Sequence, residues 1–339
     1  MKAVALTSYL PITDSNSLLD VELPDPPAPA GRDLLVRVHA ISVNPADTKV
    51  RSPKPKTETS PRVLGWDAAG VVEAVGPDVT LFKRGDAVYY AGSIARPGCN
   101  SELHLVDERI VGHKPRSLDN AQAAALPLTA LTAHEALFDR CAIDVGGRHA
   151  GRSLLIINGA GGVGSIAIQL AKLAGLRVIA TASRPETQKW CQELGADHVV
   201  NHRQELPPQL KQVGHAQVDY IFNTVDTAGY WDVSCELIKP FGRIVSIVET
   251  DKPMAVSKLM GKSASFSYEL MFTRSAQQTQ DMDEQHRILE QVAGWVDAGQ
   301  LKTTLTEKLS PISAATLRQA HAKLESGKMQ GKLVLEGWR

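Results

Sequence analysis

Three glycines set the first chemical expectation. Gly159-Ala160-Gly161-Gly162-Val163-Gly164 has the spacing G-x-G-x-x-G. It lies between an apolar run, residues 154–158, and a segment that puts Ile166, Leu170, Ala171 and Ala174 on one helical face. A strand entering and a helix leaving give this otherwise weak pattern its meaning. Gly159 permits the tight turn, Gly161 lets backbone approach a pyrophosphate, and Gly164 lets the helix pack on its strand. Gly162 and Val163 then open the helix whose N-terminal amides and dipole hold a diphosphate. The alternative is a glycine-rich turn with a purely structural role. About 20 residues on, a carboxylate would bind a ribose 2′-hydroxyl, but the chain reads Thr181-Ala182-Ser183-Arg184, with no acid before Glu186. A hydroxyl followed by a guanidinium suits a 2′-phosphate, so NADP(H) is expected over NAD(H). Otherwise Arg184 is a solvated loop residue.

The elements around this turn divide the chain in two. Residues 1–126 are β-rich, with strand-like runs at 2–6, 18–23, 34–42, 68–75 and 86–90 separated by Pro, Gly and Asp clusters. Residues 23–31 are too proline-dense for a strand or helix interior, and residues 51–62 read as a mobile polar loop. From residue 127 the texture alternates: a helix over 129–141, then strands at 154–158, 177–181, 198–200, 218–224, 243–248 and 265–272, with helices between the earlier ones. Such alternation predicts a parallel sheet wrapped by helices. The tail is helical again, with Ile288, Leu289, Val292, Trp295 and Val296, and later Leu317, Ala320, His321 and Leu324, at helical spacing. The fold class is therefore α/β. A dinucleotide-binding domain (127–275) is inserted into a discontinuous β-rich domain (1–126 and 276–339).

Composition excludes several functions. The 339 residues carry 37 basic and 37 acidic side chains, so no bulk charge favours nucleic acid. Cys99, Cys141, Cys191 and Cys235 form no C-x-x-C pair, which points to neither a disulfide framework nor a zinc knuckle. No run of about 18 apolar residues predicts a membrane span. The first six residues lack a signal peptide's apolar stretch, so a cytoplasmic location is expected. His198 and His202, four apart, have metal-compatible spacing but no third ligand nearby, and read as surface or turn histidines. No G-x-S-x-G element or P-loop occurs.

Gly65-Trp66-Asp67-Ala68-Ala69-Gly70-Val71-Val72, Phe82-Lys83-Arg84-Gly85-Asp86-Ala87-Val88, Asn44-Pro45-Ala46-Asp47, Leu131-Thr132-Ala133 and the ending from Gly327 to Leu335 resemble the medium-chain dehydrogenase/reductase family, in its zinc-free quinone oxidoreductase-like branch. The resemblance spans nearly the whole chain. It implies a GroES-like catalytic domain, a Rossmann domain and a site in the cleft between them. Where the family's zinc enzymes carry Cys, His-Glu and Cys, this chain has Asn44, Trp66-Asp67 and Leu128, so no metal site is expected. The resemblance further implies Thr132, Asn223, Ser246, Val248 and Lys332 as cofactor contacts. It gives Asn44 to the reactive face, with Asp47 supporting its loop or relaying a proton; the alternative for Asp47 is a buried capping carboxylate. It also implies a homodimer paired through the last inner strand.

The expected activity is NADPH-dependent, zinc-independent reduction of quinones or α,β-unsaturated carbonyls, without nucleic acid or membrane partners. A dinucleotide-binding regulatory or structural protein with little turnover is the alternative. A zinc-dependent alcohol dehydrogenase is disfavoured by its missing ligands.

Overall fold

The computed structural model describes residues 1–338. The chain divides into two compact units, Met1–Leu128 with Phe272–Arg339, and Thr129–Met271. In chain order the strands are β1 (Lys2–Ser8), β2 (Leu19–Glu22), β3 (Asp33–Ser42), β4 (Thr57–Val63), β5 (Ala68–Val75), β6 (Ala87–Tyr90), β7 (Leu103–Asp107), β8 (Val111–His113), β9 (Ser153–Ile157), β10 (Arg177–Thr181), β11 (His198–Val200), β12 (Val218–Asn223), β13 (Ile238–Ser246), β14 (Ser265–Tyr268), β15 (Leu305–Leu309) and β16 (Lys332–Glu336). The helices are α1 (Pro45–Arg51), α2 (Asn120–Ala124), α3 (Pro127–His134), α4 (Gly162–Leu173), α5 (Pro185–Glu193), α6 (Leu206–Gln212), α7 (Trp231–Leu237), α8 (Phe272–Gln277), α9 (Glu284–Asp297) and α10 (Ala314–Glu325).

In the first unit a seven-stranded sheet runs β15-β16-β3-β5-β6-β8, with β7 also paired to β3, beside a three-stranded sheet β2-β1-β4. β16 enters antiparallel to β3, with Val334 opposite Ser42. The C-terminal segment therefore completes a sheet begun some 290 residues earlier. Strand β3 alternates buried and part-exposed positions, as a strand with one covered face does.

The second unit holds a six-stranded parallel sheet in the order β11-β10-β9-β12-β13-β14. That is the doubly wound dinucleotide-binding order, reversing between β9 and β12. All five residues of β9 are buried, because helices cover both of its faces. Among the described residues no helix is long and apolar enough to cross a membrane.

Three expectations are corrected. Residues 57–63 are not loop: β4 pairs antiparallel with β1, Ala5 facing Val63. Only Val63 of β4 is buried, so no alternating pattern announces it, and Pro61 is tolerated because β4 is an edge. β14 stops at Tyr268, and Phe272 already begins α8; an apolar run alone does not separate strand from helix. The helix over 129–141 starts at Pro127 and changes at Glu135–Arg140 into a π-helical turn, with Cys141 N–H bonded to Ala136 C=O.

Arg51, at the end of α1, is 1% exposed. Its Nε donates to His321 Nδ1 at 3.2 Å, Nη1 to Leu10 C=O at 2.6 Å, and Nη2 to Glu325. This guanidinium clamps α1 to α10. Arg51→Ala is expected to lower stability by about 2–3 kcal/mol, since it strips charge-assisted bonds from buried His321 and from Leu10 C=O and Glu325. A urea midpoint equal to the parent's would contradict that role.

Candidate functional site

In the first unit the polar core gathers around Lys332. This residue starts β16 and is 3% exposed. Its ammonium donates to Val43 C=O at 3.0 Å, to Asp67 Oδ2 at 2.9 Å and to Asn44 Oδ1. All three hydrogens are committed. Asn44 Nδ2 donates to Trp66 C=O at 3.0 Å and Asp67 Oδ2 at 2.8 Å. Asp67 Oδ1 accepts Leu128 N–H at 2.7 Å. Lys332 and Asn44, expected as a cofactor contact and as the residue on the reactive face, are bonded to each other and to Asp67. Both amide hydrogens of Asn44 are spent, so it holds the network and has none left to donate to a substrate.

Asn44 is also the extended residue that caps α1. Its N–H donates to Asp47 Oδ2 at 2.7 Å, while Asp47 N–H returns to Asn44 C=O at 3.0 Å. The capping role named as the alternative for Asp47 is thus present. Its other oxygen, Oδ1, is buried with no hydrogen-bond partner. Burial pushes the Asp47 carboxyl up to about 7, against the stabilising N–H of Asn44 and the Lys332 charge. Burial likewise raises Asp67, opposed by Lys332, Asn44 and the Leu128 amide. Oδ2 accepts the Asn44 N–H, which leaves Oδ1 as the oxygen open to a proton.

In the second unit Gly159, Ser183, Arg184, Asn223, Ser246 and Val248 stand at or just beyond the carboxyl ends of β9, β10, β12 and β13. A Cβ on Gly164 would lie 2.4 Å from Asn158 C=O and 2.7 Å from Gly159 Cα; one on Gly159 would meet Ala180 Cβ at 2.7 Å. Gly161 is the extended cap of α4, whose first residues are Gly162, Val163 and Gly164. Their amides point out of the helix start without intrahelical partners. Ser183 and Arg184 follow β10, and Arg184 pairs through Nε with Glu186 at 2.6 Å. Thr132 is buried in α3.

Asn223 ends β12, and its amide closes its own turn: Nδ2 donates to Asp226 C=O at 2.7 Å, and Oδ1 accepts Val225 N–H at 3.1 Å. Ser246 ends β13 and lies 2.5 Å from Thr227 Oγ1, whose hydroxyl also reaches Val248 C=O. Sequence reasoning missed Thr227 because it sits in an irregular turn with no motif. It likewise missed Thr181, whose hydroxyl accepts Asn158 N–H at 2.8 Å and whose carbonyl accepts Gly159 N–H at 3.0 Å. A β-branched residue ending a strand carries no sign of that duty.

The chain matches the family model of the alcohol dehydrogenase GroES-like domain over residues 30–116 and that of the zinc-binding dehydrogenase over residues 194–335. It is 47% identical to a zinc-type alcohol dehydrogenase-like protein of Staphylococcus aureus, over 91% of this chain and 92% of that one. It is 31% identical to the chloroplastic NADPH-dependent alkenal/one oxidoreductase of Arabidopsis thaliana, over 89% of this chain and 71% of that one. The structure of Escherichia coli quinone oxidoreductase complexed with NADPH superposes with a TM-score of 0.82 at 26% identity, covering 99% of this chain and 100% of that one.

Two outcomes follow from the polar core. Lys332→Met leaves Asp67 as an uncompensated buried charge and is expected to cost about 3–5 kcal/mol, much of it recovered by adding Asp67→Leu. A double variant no more stable than the single one would contradict the pairing. For Asp47 the folded pKa lies above the unfolded value of 3.8. Its contribution is therefore complete below about pH 4 and is lost as pH rises through about 7. The melting temperature of Asp47→Asn relative to the parent should rise between pH 5 and 7.5; a constant difference would disprove the shift.

Proposed function

The chain belongs to the medium-chain dehydrogenase/reductase family, and on that premise we propose that it is a cytoplasmic NADPH-dependent reductase of quinones or α,β-unsaturated carbonyls that works without zinc. The observation that carries the proposal is the committed Asn44–Asp67–Lys332 network. At the positions that resemblance gives to metal ligands stand an amide whose hydrogens are spent, an indole donating to Ser93 C=O at 3.2 Å, and the side chain of Leu128. Asp67, which accepts from Asn44 and from the Leu128 N–H, is paired with the Lys332 ammonium. Among the described residues no group of three His, Cys, Asp or Glu is arranged to hold a metal ion. These donors do not fit zinc, which takes three N, S or O ligands.

The residues do fit a dinucleotide. The opening amides of α4 suit a diphosphate, Ser183 and Arg184 suit a 2′-phosphate, and Asn223, Thr227, Ser246 and Val248 shape the strand ends where such ligands sit. Bound NADPH supplies a hydride. The protein's part is to orient the acceptor and to provide a proton for the delocalised enolate or hydroquinone anion that results. Asp47, whose carboxyl burial pushes up to about 7 and whose Oδ1 bonds nothing else, is the store of that proton in this reading, and the Asn44 N–H holds its other oxygen. The similarity to an alkenal/one reductase and to a quinone reductase supports the acceptor class, and the missing acid after β10 supports NADPH.

Two further properties belong to the proposal. All four cysteines are free and buried, as suits a reducing compartment. β14 is the edge of its sheet, and Tyr268 at its end and Leu270 just beyond are 45% and 59% exposed. An uncovered edge with apolar neighbours suits pairing with a second copy into a homodimer.

Fluorescence titration should show NADPH binding about ten- to hundredfold tighter than NADH, the worth of a charge-assisted contact. Arg184→Ala should erase most of that margin. Chelator-treated protein should oxidise NADPH with quinones or alkenals and leave ethanol untouched. Equal cofactor affinities, or activity that returns only with zinc, would overturn the assignment.

A further inference from the structure

The strand order sets β11 beside β10, with Val200 paired to Thr181. Whatever follows β11 therefore lies against the residues that follow β10. The chain leaves β11 as Asn201-His202-Arg203. His202 is half-buried, and its Nδ1 lies 3.2 Å from Thr181 Oγ1. Thr181 Oγ1 already accepts Asn158 N–H, so its one hydrogen is available to His202 Nδ1. The Thr181 backbone also faces the ring and favours its charged form. One residue thus ties His202 to the glycine turn, since Thr181 C=O accepts Gly159 N–H.

We propose that His202 is a further element of the 2′-phosphate site, together with Ser183 and Arg184, and that it makes the choice of NADPH over NADH depend on pH. The inference rests on the NADPH assignment above and deepens it. The charged groups bearing on His202 are Arg184 at the start of α5, with its partner Glu186, and Arg203 on its own loop. Burial, and then the repulsion of Arg203 and Arg184, hold His202 below its ordinary value of 6.5, opposed by the Thr181 backbone. In the free protein the ring is therefore neutral at pH 7. A phosphate dianion beside Arg184 reverses the local field and favours the imidazolium, so phosphate binding takes up a proton. NADH, which lacks that group, gives no such reversal. His198, four residues earlier, packs with His215 instead, ring centroids 5.9 Å apart.

The test measures dissociation constants of NADPH and NADH from pH 6 to 8.5 by fluorescence, for the parent chain and His202→Gln. NADH controls for every titration except that of the 2′-phosphate. The preference for NADPH is expected to rise about five- to tenfold from pH 8 to 6.5 in the parent, the order of one charge-assisted bond gained. It should stay flat or fall in His202→Gln, since the phosphate itself loses charge near pH 6. In parallel, the His202 ring proton resonances should titrate at higher pH with adenosine 2′,5′-bisphosphate than with adenosine 5′-monophosphate. A preference that persists with the same pH profile in both proteins, or a His202 titration indifferent to the 2′-phosphate, overturns the inference and leaves the NADPH assignment standing. No preference at any pH, unaltered by Arg184→Ala, overturns both.

Discussion

The Lys332 ammonium against the Asp67 carboxylate is the constraint on which the first unit depends. Neither side chain is appreciably exposed, and 265 residues separate them. Taking two such charges out of water costs several kcal/mol apiece unless every hydrogen and lone pair finds a partner. Here the partners come from four segments: Val43 and Asn44 before α1, Trp66 before β5, Leu128 inside α3, and Lys332 at the start of β16. The returning C-terminal strand must therefore be seated for the N-terminal core to be satisfied. A discontinuous domain is held as one body by a polar contact at its centre as well as by its shared sheet.

Charge counting links that contact to chemistry. Asp47 and Asp67 are both fully buried near one ammonium, so full ionisation leaves the cluster with one negative charge in a poor dielectric. Asp67 has the ammonium and two further donors. Asp47 has one N–H on one oxygen and nothing on the other. The proton falls to Asp47, at a pH near neutrality. A cluster built to satisfy structural groups thus holds one exchangeable proton.

The parts legible in the sequence were those with a local signature. The glycine turn, the strand–helix alternation and the amphipathic tail each announce themselves within a dozen residues, and β10 and β11 lie where residues 177–181 and 198–200 read as strands. What escaped depended on distant partners. β4 has no buried face of its own and exists because β1 pairs with it. The commitment of Lys332 and Asn44 is invisible until residues 44, 67 and 332 meet. Arg51, counted as the start of a mobile polar loop, is a buried clamp because α10 returns to it from 270 residues away. A residue type states what a group is able to do, whereas its partners decide what it is free to do.

That distinction bears on the proposed chemistry. Removing a hydride from a simple alcohol requires a strong electrophile for the alkoxide, a role a metal ion fills as Lewis acid. Asn44, with both amide hydrogens bound elsewhere, is no substitute, and Lys332 has no hydrogen to spare. Reduction of a conjugated acceptor asks for less. The arriving hydride leaves charge spread over an enolate or a quinone ring, so orientation and one proton suffice. In the proposed chemistry Asp47 would offer that proton without disturbing the ion pair beside it, since the capping bond from Asn44 N–H uses the other carboxylate oxygen. On the proposed reading, burial keeps Asp47 neutral enough to serve, against the pull of the Asn44 N–H and the Lys332 charge, while Asn44 and Lys332 themselves stay out of direct catalysis.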